Sequence, residues 1–381
     1  MSLSYFTAPV IFDGETEHTS SALIINDGRV AAIVPVSELP ENSEITRFGT
    51  GMVAPAFVDL QVNGGGGVML GDNPGIATIE RICTAHRPFG TTSLLPTLIT
   101  DTPEQTRAVI AAGIEATKRG VPGFRGLHLE GPHLSKSRKG THDPTLIRPM
   151  TEDDLTTLLT AKDGLETLFV TLAPESASVA QVRTLAKAGV IVSLGHSDTD
   201  HDTALRYVEA GASCVTHLFN AMSQLGNREP GLVGAALSSG SLHAGIIADG
   251  FHVHVASMKA ALSAKNGPAR IHLVTDAMST VGSNIQSFML NGREIRREGG
   301  RLTLADGTLA GADIDMISCV RFAHERLGLS TTEALRMAGL YPAQCLGRES
   351  EIGTLKPGSR ADFLHLSDDL DICETYISGV A

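Results

Sequence analysis

Eight short apolar segments alternate with alanine-rich, charge-bearing stretches through the middle of the chain, and this alternation strongly limits the fold. The predicted strands are Phe57 to Val62, Thr92 to Pro96, Gly126 to Glu130, Leu168 to Ala173, Val190 to Gly195, Cys214 to His217, Ala244 to Ala248 and Ile271 to Thr275. Helices are predicted at 103–118, 152–160, 179–188, 202–210 and 255–263. Apolar strands that alternate with helices indicate a parallel sheet, and eight such units close most simply into a (β/α)8 barrel of the TIM type.

Both ends of the chain are predicted to be β-rich. Near the start, two apolar runs flank the dipeptide Asp27-Gly28, which is a strong signal for a β-hairpin. The last segment shows the same strand and turn pattern. We therefore predict a small β-sandwich domain formed by residues 1–52 plus 350–381, with the barrel at 53–349.

Three of the predicted strands end in side chains that can bind a metal ion. Glu130 ends the third strand, in the segment LHLEGPHL, while His196 follows the fifth and His217 ends the sixth. Because the carboxyl ends of parallel strands meet at one edge of the sheet, these side chains are expected to converge. One carboxylate and two imidazoles suit a catalytic zinc or a similar ion. The alternative for each residue alone is a hydrogen-bonded core histidine or an N-capping carboxylate.

Composition and charge narrow the classes of partner. The formal net charge is −12, which argues against nucleic acid or an anionic membrane as the main partner but leaves room for a small anionic substrate. No apolar run reaches the length of about 18 residues that a membrane helix needs, and the N-terminus lacks the pattern of a signal peptide. The five cysteines form no CxxC pair. We therefore predict a cytoplasmic protein with reduced thiols.

Nine short motifs carry a resemblance to a known family. In chain order they are HLEGPHL, KGTHDP, SLGHSDT, THLFNAM, REPGLVGA, ADGFHV, VTDAM, LAG and LYPA. Each is weak alone, but together and in this order they resemble the amidohydrolase superfamily and, within it, the N-acetylglucosamine-6-phosphate deacetylases. The resemblance implies hydrolysis of N-acetyl-D-glucosamine 6-phosphate to D-glucosamine 6-phosphate and acetate, a reaction of amino-sugar metabolism.

The same resemblance implies roles for individual residues. Glu130, His196 and His217 are implied as the metal ligands, and Asp276 as the general base of a metal-activated water and the acid that protonates the departing amine. The implied substrate-binding residues are His142, Asn220, Ala221, Arg228, His252, Leu309, Ala310 and Gly311.

Arg228 and His252 are the residues implied to hold the 6-phosphate, since guanidinium and imidazole groups suit phosphate oxygens. In the family this arginine enters the site of the neighbouring subunit. The resemblance therefore implies a homodimer in which each Arg228 completes the partner's site.

The start of the barrel departs from the broader superfamily. Many members carry His-x-His there and bind two metals, whereas this chain has Gln61 and Asn63 in those positions. Side-chain amides are poor ligands for a second transition metal, so we expect these two residues to be remnants of a second-metal site. One divalent ion per subunit is expected, with zinc as the first choice and Fe²⁺ or another divalent ion as alternatives.

Two other functions stay open at this stage. Another amidohydrolase that acts on a different N-acyl or cyclic amide would use the same barrel, but it would give Arg228 and His252 no phosphate to bind. A non-catalytic homologue of the barrel would be expected to have lost ligands or the base, and here all four candidates are present.

Overall fold

A computed structural model describes residues 3–381 of the chain. Its largest sheet has eight strands, which follow one another around the sheet in chain order. They are β1 (Phe57–Val62), β2 (Thr91–Ile99), β3 (Leu127–Glu130), β4 (Leu168–Leu172), β5 (Ile191–Leu194), β6 (Ala212–Val215), β7 (His243–Ile246) and β8 (Ile271–Leu273). The pairs from β2 to β8 are parallel, and a parallel bridge joins Val62 to Ala277, just past β8. The predicted barrel is confirmed.

A helix follows each barrel strand in the sequence, and two more follow the eighth. The helices are α1 (Ile76–His86), α2 (Pro103–Arg119), α3 (Glu152–Gly164), α4 (Val179–Lys187), α5 (His201–Ala210), α6 (Gly231–Ser238), α7 (Val255–Ala264), α8 (Met316–Glu325), α9 (Thr331–Ala338) and α10 (Leu340–Cys345). Several starts are fixed by side chains that accept hydrogen bonds from free backbone N–H groups, as Thr102 does for α2 and Ser178 for α4. Such caps explain why the predicted helix starts lie within one residue of those observed.

A four-stranded antiparallel sheet between β8 and α8 was not predicted. Its strands, here called the insert sheet, are Ser287–Leu290, Arg293–Glu298, Arg301–Thr303 and Leu309–Ala312. Apart from the short apolar run at 288–290, its strands carry many exposed arginine and glutamate side chains, so the sequence has no strong strand pattern there. One side buries Leu290, Ile295, Leu302 and Ala310 in an apolar cluster. This burial holds the last strand in place.

The two ends of the chain form two further sheets. In order across each sheet, the strands are Arg29–Pro35, Ser21–Asn26, Leu3–Thr7 and Ile45–Arg47 in one, and Ile372–Tyr376, Phe363–Leu366, Met52–Pro55, Val10–Phe12 and Glu17–Thr19 in the other. Phe6, Leu23 and Phe363 lie in their shared apolar core. The hairpin predicted at Asp27-Gly28 is present, with both residues at positive φ. The predicted β-sandwich from both termini is confirmed.

The chain divides into two compact units, Met1–Asp59 with His86–Ser93 and Met316–Ala381, and Leu60–Ala85 with Leu94–Asp315. The sequence-based limits, 1–52 plus 350–381 and 53–349, stay a prediction. The remaining elements are the strand pair Gly64–Gly65 and Val68–Met69 and the 3-10 helices Val36–Glu38, Arg87–Phe89 and Lys136–Arg138. Among residues 3–381, no helix has the length and apolar character needed to cross a membrane.

Candidate active site

Strained backbone marks the carboxyl ends of three barrel strands. His196, His217 and Asp276 have positive φ angles of 48°, 31° and 52°. Residues with a side chain rarely adopt such angles, which cost of order 1–3 kcal/mol each and cluster at functional sites. All three residues belong to the set predicted from the sequence, so the strain is found where the chemistry is expected.

The side chains of Glu130, His196 and His217 meet at one point. The Oε1 atom of Glu130 lies 3.0 Å from Nε2 of His217 and 3.2 Å from Nε2 of His196, and the two Nε2 atoms are 3.0 Å apart. All three residues are at least 96% buried. Ligands that bind one tetrahedral ion at about 2.0–2.1 Å are separated by about 3.3 Å, close to this triangle.

Hydrogen bonding orients one imidazole for metal binding. The Nδ1 atom of His196 lies 2.8 Å from the backbone carbonyl of Arg138, which can only accept. Nδ1 therefore carries a proton, and in the neutral ring the lone pair of Nε2 faces Glu130 and His217. The Nδ1 atom of His217 is buried and has no hydrogen-bond partner within residues 3–381. This donor set fits a divalent cation, which would relieve the crowding of electron-rich atoms.

The charges of the three groups are coupled. Burial raises the pKa of Glu130, but hydrogen bonds and positive charge from His196 and His217 outweigh it and hold the pKa well below its usual range. Burial lowers the pKa of His217, while its hydrogen bond to Glu130 reverses that effect and raises it overall. The carboxylate is thus ionised in the buried site, as a metal ligand must be.

Asp276 lies beside the three ligands. Its Oδ1 accepts hydrogen bonds from Nε2 of Gln61 at 3.1 Å and from Nδ2 of Asn63 at 2.7 Å. Burial and the negative charge of Glu130 raise the pKa of Asp276 to about 6. A carboxyl group with such a pKa can both take and return a proton near neutral pH.

The two amides at the end of β1 act as hydrogen-bond donors. Besides Asp276, Nε2 of Gln61 also lies 3.3 Å from each carboxylate oxygen of Glu130. The Oδ1 atom of Asn63 is buried and has no partner in the described part of the chain. Gln61 therefore bridges the two carboxyl groups of the site, and Asn63 adds a second donor to Asp276. Their assignment as remnants of a second-metal site stays a prediction.

His142 is a buried, neutral imidazole next to the ligands. The ring centroids of His142 and His196 are 4.5 Å apart. Nδ1 of His142 lies 2.7 Å from the hydroxyl of Thr100 and 3.3 Å from the backbone N–H of the same residue. Because the backbone N–H can only donate and the hydroxyl can also donate, both contacts are satisfied with Nδ1 as the acceptor and the ring proton on Nε2. Burial, followed by the positive charge of His196, lowers the pKa of His142 to about 3. The ring can thus offer an N–H donor to a ligand.

A cavity of about 250 Å³ opens over these groups. It is lined by Asn63, Ile99, Glu130, Gly140, Thr141, His142, His196, His217, Asn220, Ala221, His252, Asp276, Met278, Thr308, Leu309 and Gly311. Most of the predicted site residues are thus brought together. Three are not in the lining: Gln61 lies behind the carboxyl groups that it contacts, Ala310 is fully buried in the apolar cluster under the insert sheet, and Arg228 is exposed.

The last strand of the insert sheet brings Leu309 and Gly311 to the cavity. The backbone N–H of Ala312 donates to the carbonyl of Asp276 at 3.0 Å, which ties this strand to the end of β8. Gly311 has a φ of 66°, and a Cβ there would lie 2.5 Å from the side chain of Met278. Only glycine fits this close approach.

Five lining residues were not predicted as site residues. Gly140 and Thr141 belong to the KGTHDP motif and Met278 to VTDAM, so their motifs gave a usable signal. Ile99 and Thr308 belong to none of the motifs, so the sequence gave no signal for them. They lie at the cavity because of where β2 ends and how the insert sheet folds.

Comparisons with known proteins show the family of this chain. The amidohydrolase family matches residues 52–381. The chain is 42% identical to the N-acetylgalactosamine-6-phosphate deacetylase of Shewanella sp. (strain ANA-3), covering 98% of this chain and 94% of that one. It is 33% identical to the N-acetylglucosamine-6-phosphate deacetylase of Haemophilus influenzae, covering 94% and 93%. The crystal structure of N-acetylglucosamine-6-phosphate deacetylase from Pasteurella multocida superimposes with a TM-score of 0.95 at 33% identity, over 99% of both chains. The chain therefore belongs to the amidohydrolase family.

Proposed function

We propose that this protein hydrolyses the acetamide of N-acetyl-D-glucosamine 6-phosphate and releases D-glucosamine 6-phosphate and acetate. The observation that carries the proposal is the triangle of Glu130, His196 and His217 with Asp276 beside it, at the base of a cavity. Deacetylases that act on such sugar phosphates are among the relatives that match nearly the whole chain. Triangle, base and relatives together support a hydrolase of carbon–nitrogen bonds.

Glu130, His196 and His217 are the residues that we assign to one divalent ion per subunit, with zinc as the first choice. When bound, such an ion polarises the amide carbonyl and lowers the pKa of a water molecule. The lone pair that His196 turns inward and the ionised carboxylate of Glu130 supply the charge and geometry that this role needs.

Asp276 is the residue that we assign to proton transfer. Gln61 and Asn63 both donate to its Oδ1, so we assign Oδ2 to the proton that is taken from water. The same carboxyl group then delivers a proton to the nitrogen as the C–N bond breaks, which turns the leaving group into a neutral amine. Its raised pKa supports this double use.

His142 is assigned to the acetyl oxygen. With Nδ1 occupied by Thr100, the N–H at Nε2 is the donor that can stabilise negative charge on that oxygen as the amide carbon becomes tetrahedral. A neutral donor is suited to this task because it does not compete with the nearby cation.

The 6-phosphate is assigned to His252, which lines the cavity, and to Arg228 of a second subunit. Arg228 is exposed and lies outside the lining of its own chain, a placement that supports a homodimer in which each arginine serves the partner's site. We also propose a cytoplasmic location, since all five cysteines are free thiols.

A second candidate substrate is N-acetyl-D-galactosamine 6-phosphate. Among the relatives compared above, the one with the higher identity, 42%, is a deacetylase of that sugar phosphate. The two substrates differ only in the configuration of one hydroxyl group, so the same metal site, base and phosphate contacts would serve both.

The test is release of free amine from four sugars, on protein of measured metal content. The sugars are the 6-phosphates of N-acetylglucosamine and N-acetylgalactosamine and their unphosphorylated forms. We expect strong preference for phosphorylated sugars at about one metal per chain. No release from any of them with metal bound would instead favour an amidohydrolase acting on another N-acyl or cyclic amide.

A further inference from the structure

We propose that Asp249 is a positioning residue that holds His252 in the state needed to bind the 6-phosphate. This inference rests on the proposed function, because it gives His252 a phosphate to bind. Asp249 lies just past β7, three residues before His252, and is not itself part of the cavity lining. Its action on the substrate is therefore indirect.

Asp249 contacts both the ring and the backbone of His252. Its Oδ2 lies 2.6 Å from Nδ1 of the ring, while Oδ1 accepts the backbone N–H groups of Phe251 at 2.8 Å and His252 at 2.9 Å. The side chains of Asp249 and His252 are only 5% and 9% exposed. One carboxylate thus fixes the turn and the orientation of the ring at once.

The pairing decides which ring nitrogen faces a ligand. The hydrogen bonds and the positive charge of His252 outweigh the effect of burial and lower the pKa of Asp249, so this group is a carboxylate that can only accept. Nδ1 of His252 is therefore the donor in the pair, and Nε2 is the nitrogen left for the cavity.

Hydrogen bonding to a phosphate group requires a second proton on this ring. The phosphate oxygens are acceptors, so Nε2 must also carry a proton, which makes the ring a cation. The negative charge of Asp249, 2.6 Å away, compensates that cation in a site with little solvent. Without Asp249, the ring loses both its fixed orientation and its compensating charge.

The chain contains a matched pair outside the site. In the unit formed by the chain ends, Oδ1 of Asp13 accepts the backbone N–H groups of Glu15 and Thr16, both at 2.7 Å, and Oδ2 lies 2.9 Å from Nε2 of His18. The bonding pattern is the same, but neither Asp13 nor His18 lines the cavity. Asp13→Asn is therefore the control for a purely structural effect.

The experiment compares Asp249→Asn, His252→Gln, the double variant Asp249→Asn/His252→Gln and Asp13→Asn, each loaded with metal. KM and kcat are measured for N-acetylglucosamine 6-phosphate and for unphosphorylated N-acetylglucosamine. We expect Asp249→Asn to raise KM for the phosphorylated sugar about tenfold, the effect of one charge-assisted hydrogen bond. Its kcat and its activity on the unphosphorylated sugar should stay within about twofold of wild type, the scatter expected between sites that are not coupled.

The double variant tests whether Asp249 acts through His252. If it does, adding Asp249→Asn to His252→Gln raises KM no further, and Asp13→Asn leaves all kinetic constants unchanged. The inference is wrong if Asp249→Asn keeps the wild-type KM, if both substrates are affected equally, or if the two substitutions are additive.

Failure of the proposed function has a separate signature, because wild-type protein would then show no preference for the phosphorylated sugar. If Asp249→Asn does not fold, Asp249→Ser replaces it. The serine hydroxyl can still accept the two backbone N–H groups but carries no charge, so the same rise in KM is expected, and its absence would overturn the inference.

Discussion

The Nε2 atoms of His196 and His217 lie 3.0 Å apart, and both approach the same oxygen of Glu130. With both rings neutral and their Nε2 lone pairs turned inward, as metal ligands must be, this contact places electron-rich atoms against one another. A divalent cation at their centre would turn the repulsion into three bonds. Metal binding should therefore stabilise the folded protein, and a thermal unfolding experiment can measure both.

Removal of the metal should destabilise the protein and abolish turnover. A ligand present at 100 times its dissociation constant stabilises the folded state by about 2.7 kcal/mol, so chelation should lower the midpoint of thermal unfolding and zinc should restore it. Glu130→Gln, which keeps the shape but not the charge, should bind metal far more weakly and show little response to zinc. If zinc raised the midpoint of thermal unfolding equally in wild type and in Glu130→Gln, Glu130 would not be a metal ligand.

Asp276→Asn should separate binding from chemistry. The amide can still accept from Gln61 and Asn63 but cannot take a proton, so kcat should fall by about 10²–10⁴-fold. Metal content and affinity for the phosphorylated sugar, measured by calorimetry, should be close to wild type. The control is Asp200→Asn at the exposed N-cap of α5, where asparagine is also a good capping residue. It should change neither kcat nor the binding of metal and substrate. Near-normal turnover by Asp276→Asn would contradict the assigned role.

Arg228→Ala should raise KM for the phosphorylated sugar at least about tenfold, because a charge-assisted pair with phosphate is lost. If the arginine serves the partner's site, co-expression of Arg228→Ala with Asp276→Asn should restore activity in mixed dimers. In such a dimer one site has an intact Asp276 and receives an intact Arg228 from the other chain.

Co-expression of Asp276→Asn with His252→Gln is the control, since His252 acts in the same chain as Asp276 and no mixed dimer then has a complete site. Failure of the Arg228→Ala mixture to regain activity would indicate that the arginine acts within its own chain or not at all.

His272 should make stability fall in mild acid. It is buried in β8, and burial followed by the charge of His243 lowers its pKa to about 3. As pH falls below 6.5, the unfolded chain gains a proton that the folded chain does not, so unfolding becomes easier. Between pH 7 and pH 5 this one group accounts for about 2 kcal/mol.

His272→Gln should therefore lose less stability than wild type between these pH values, as measured by chemical denaturation. The exposed His324 gives the matched control, and His324→Gln should follow the wild-type pH dependence. An unchanged pH dependence in His272→Gln would show that this group does not carry the effect.

The sequence predicted the barrel and the residues at its strand ends because both depend on local patterns. Apolar runs bounded by turns mark strands, and the alternation with helices determines a parallel sheet. Once the strands close in chain order, Glu130, His196 and His217 have to lie at the same end. That part of the site follows from topology alone.

Other features of the site depend on tertiary structure and could not be predicted from sequence patterns. The insert sheet, with its charged and half-exposed strands, has no apolar periodicity, so its covering of the cavity near Leu309 was unpredicted. The hydrogen bonds from amides to Asp276 join residues that are far apart in the sequence. The positive φ angles at the strand ends and the contact of Asp249 with His252 depend on exact turn geometry. Side-chain orientation, proton position and buried charge are set by the packed neighbours of a residue, and only the folded chain brings those neighbours together.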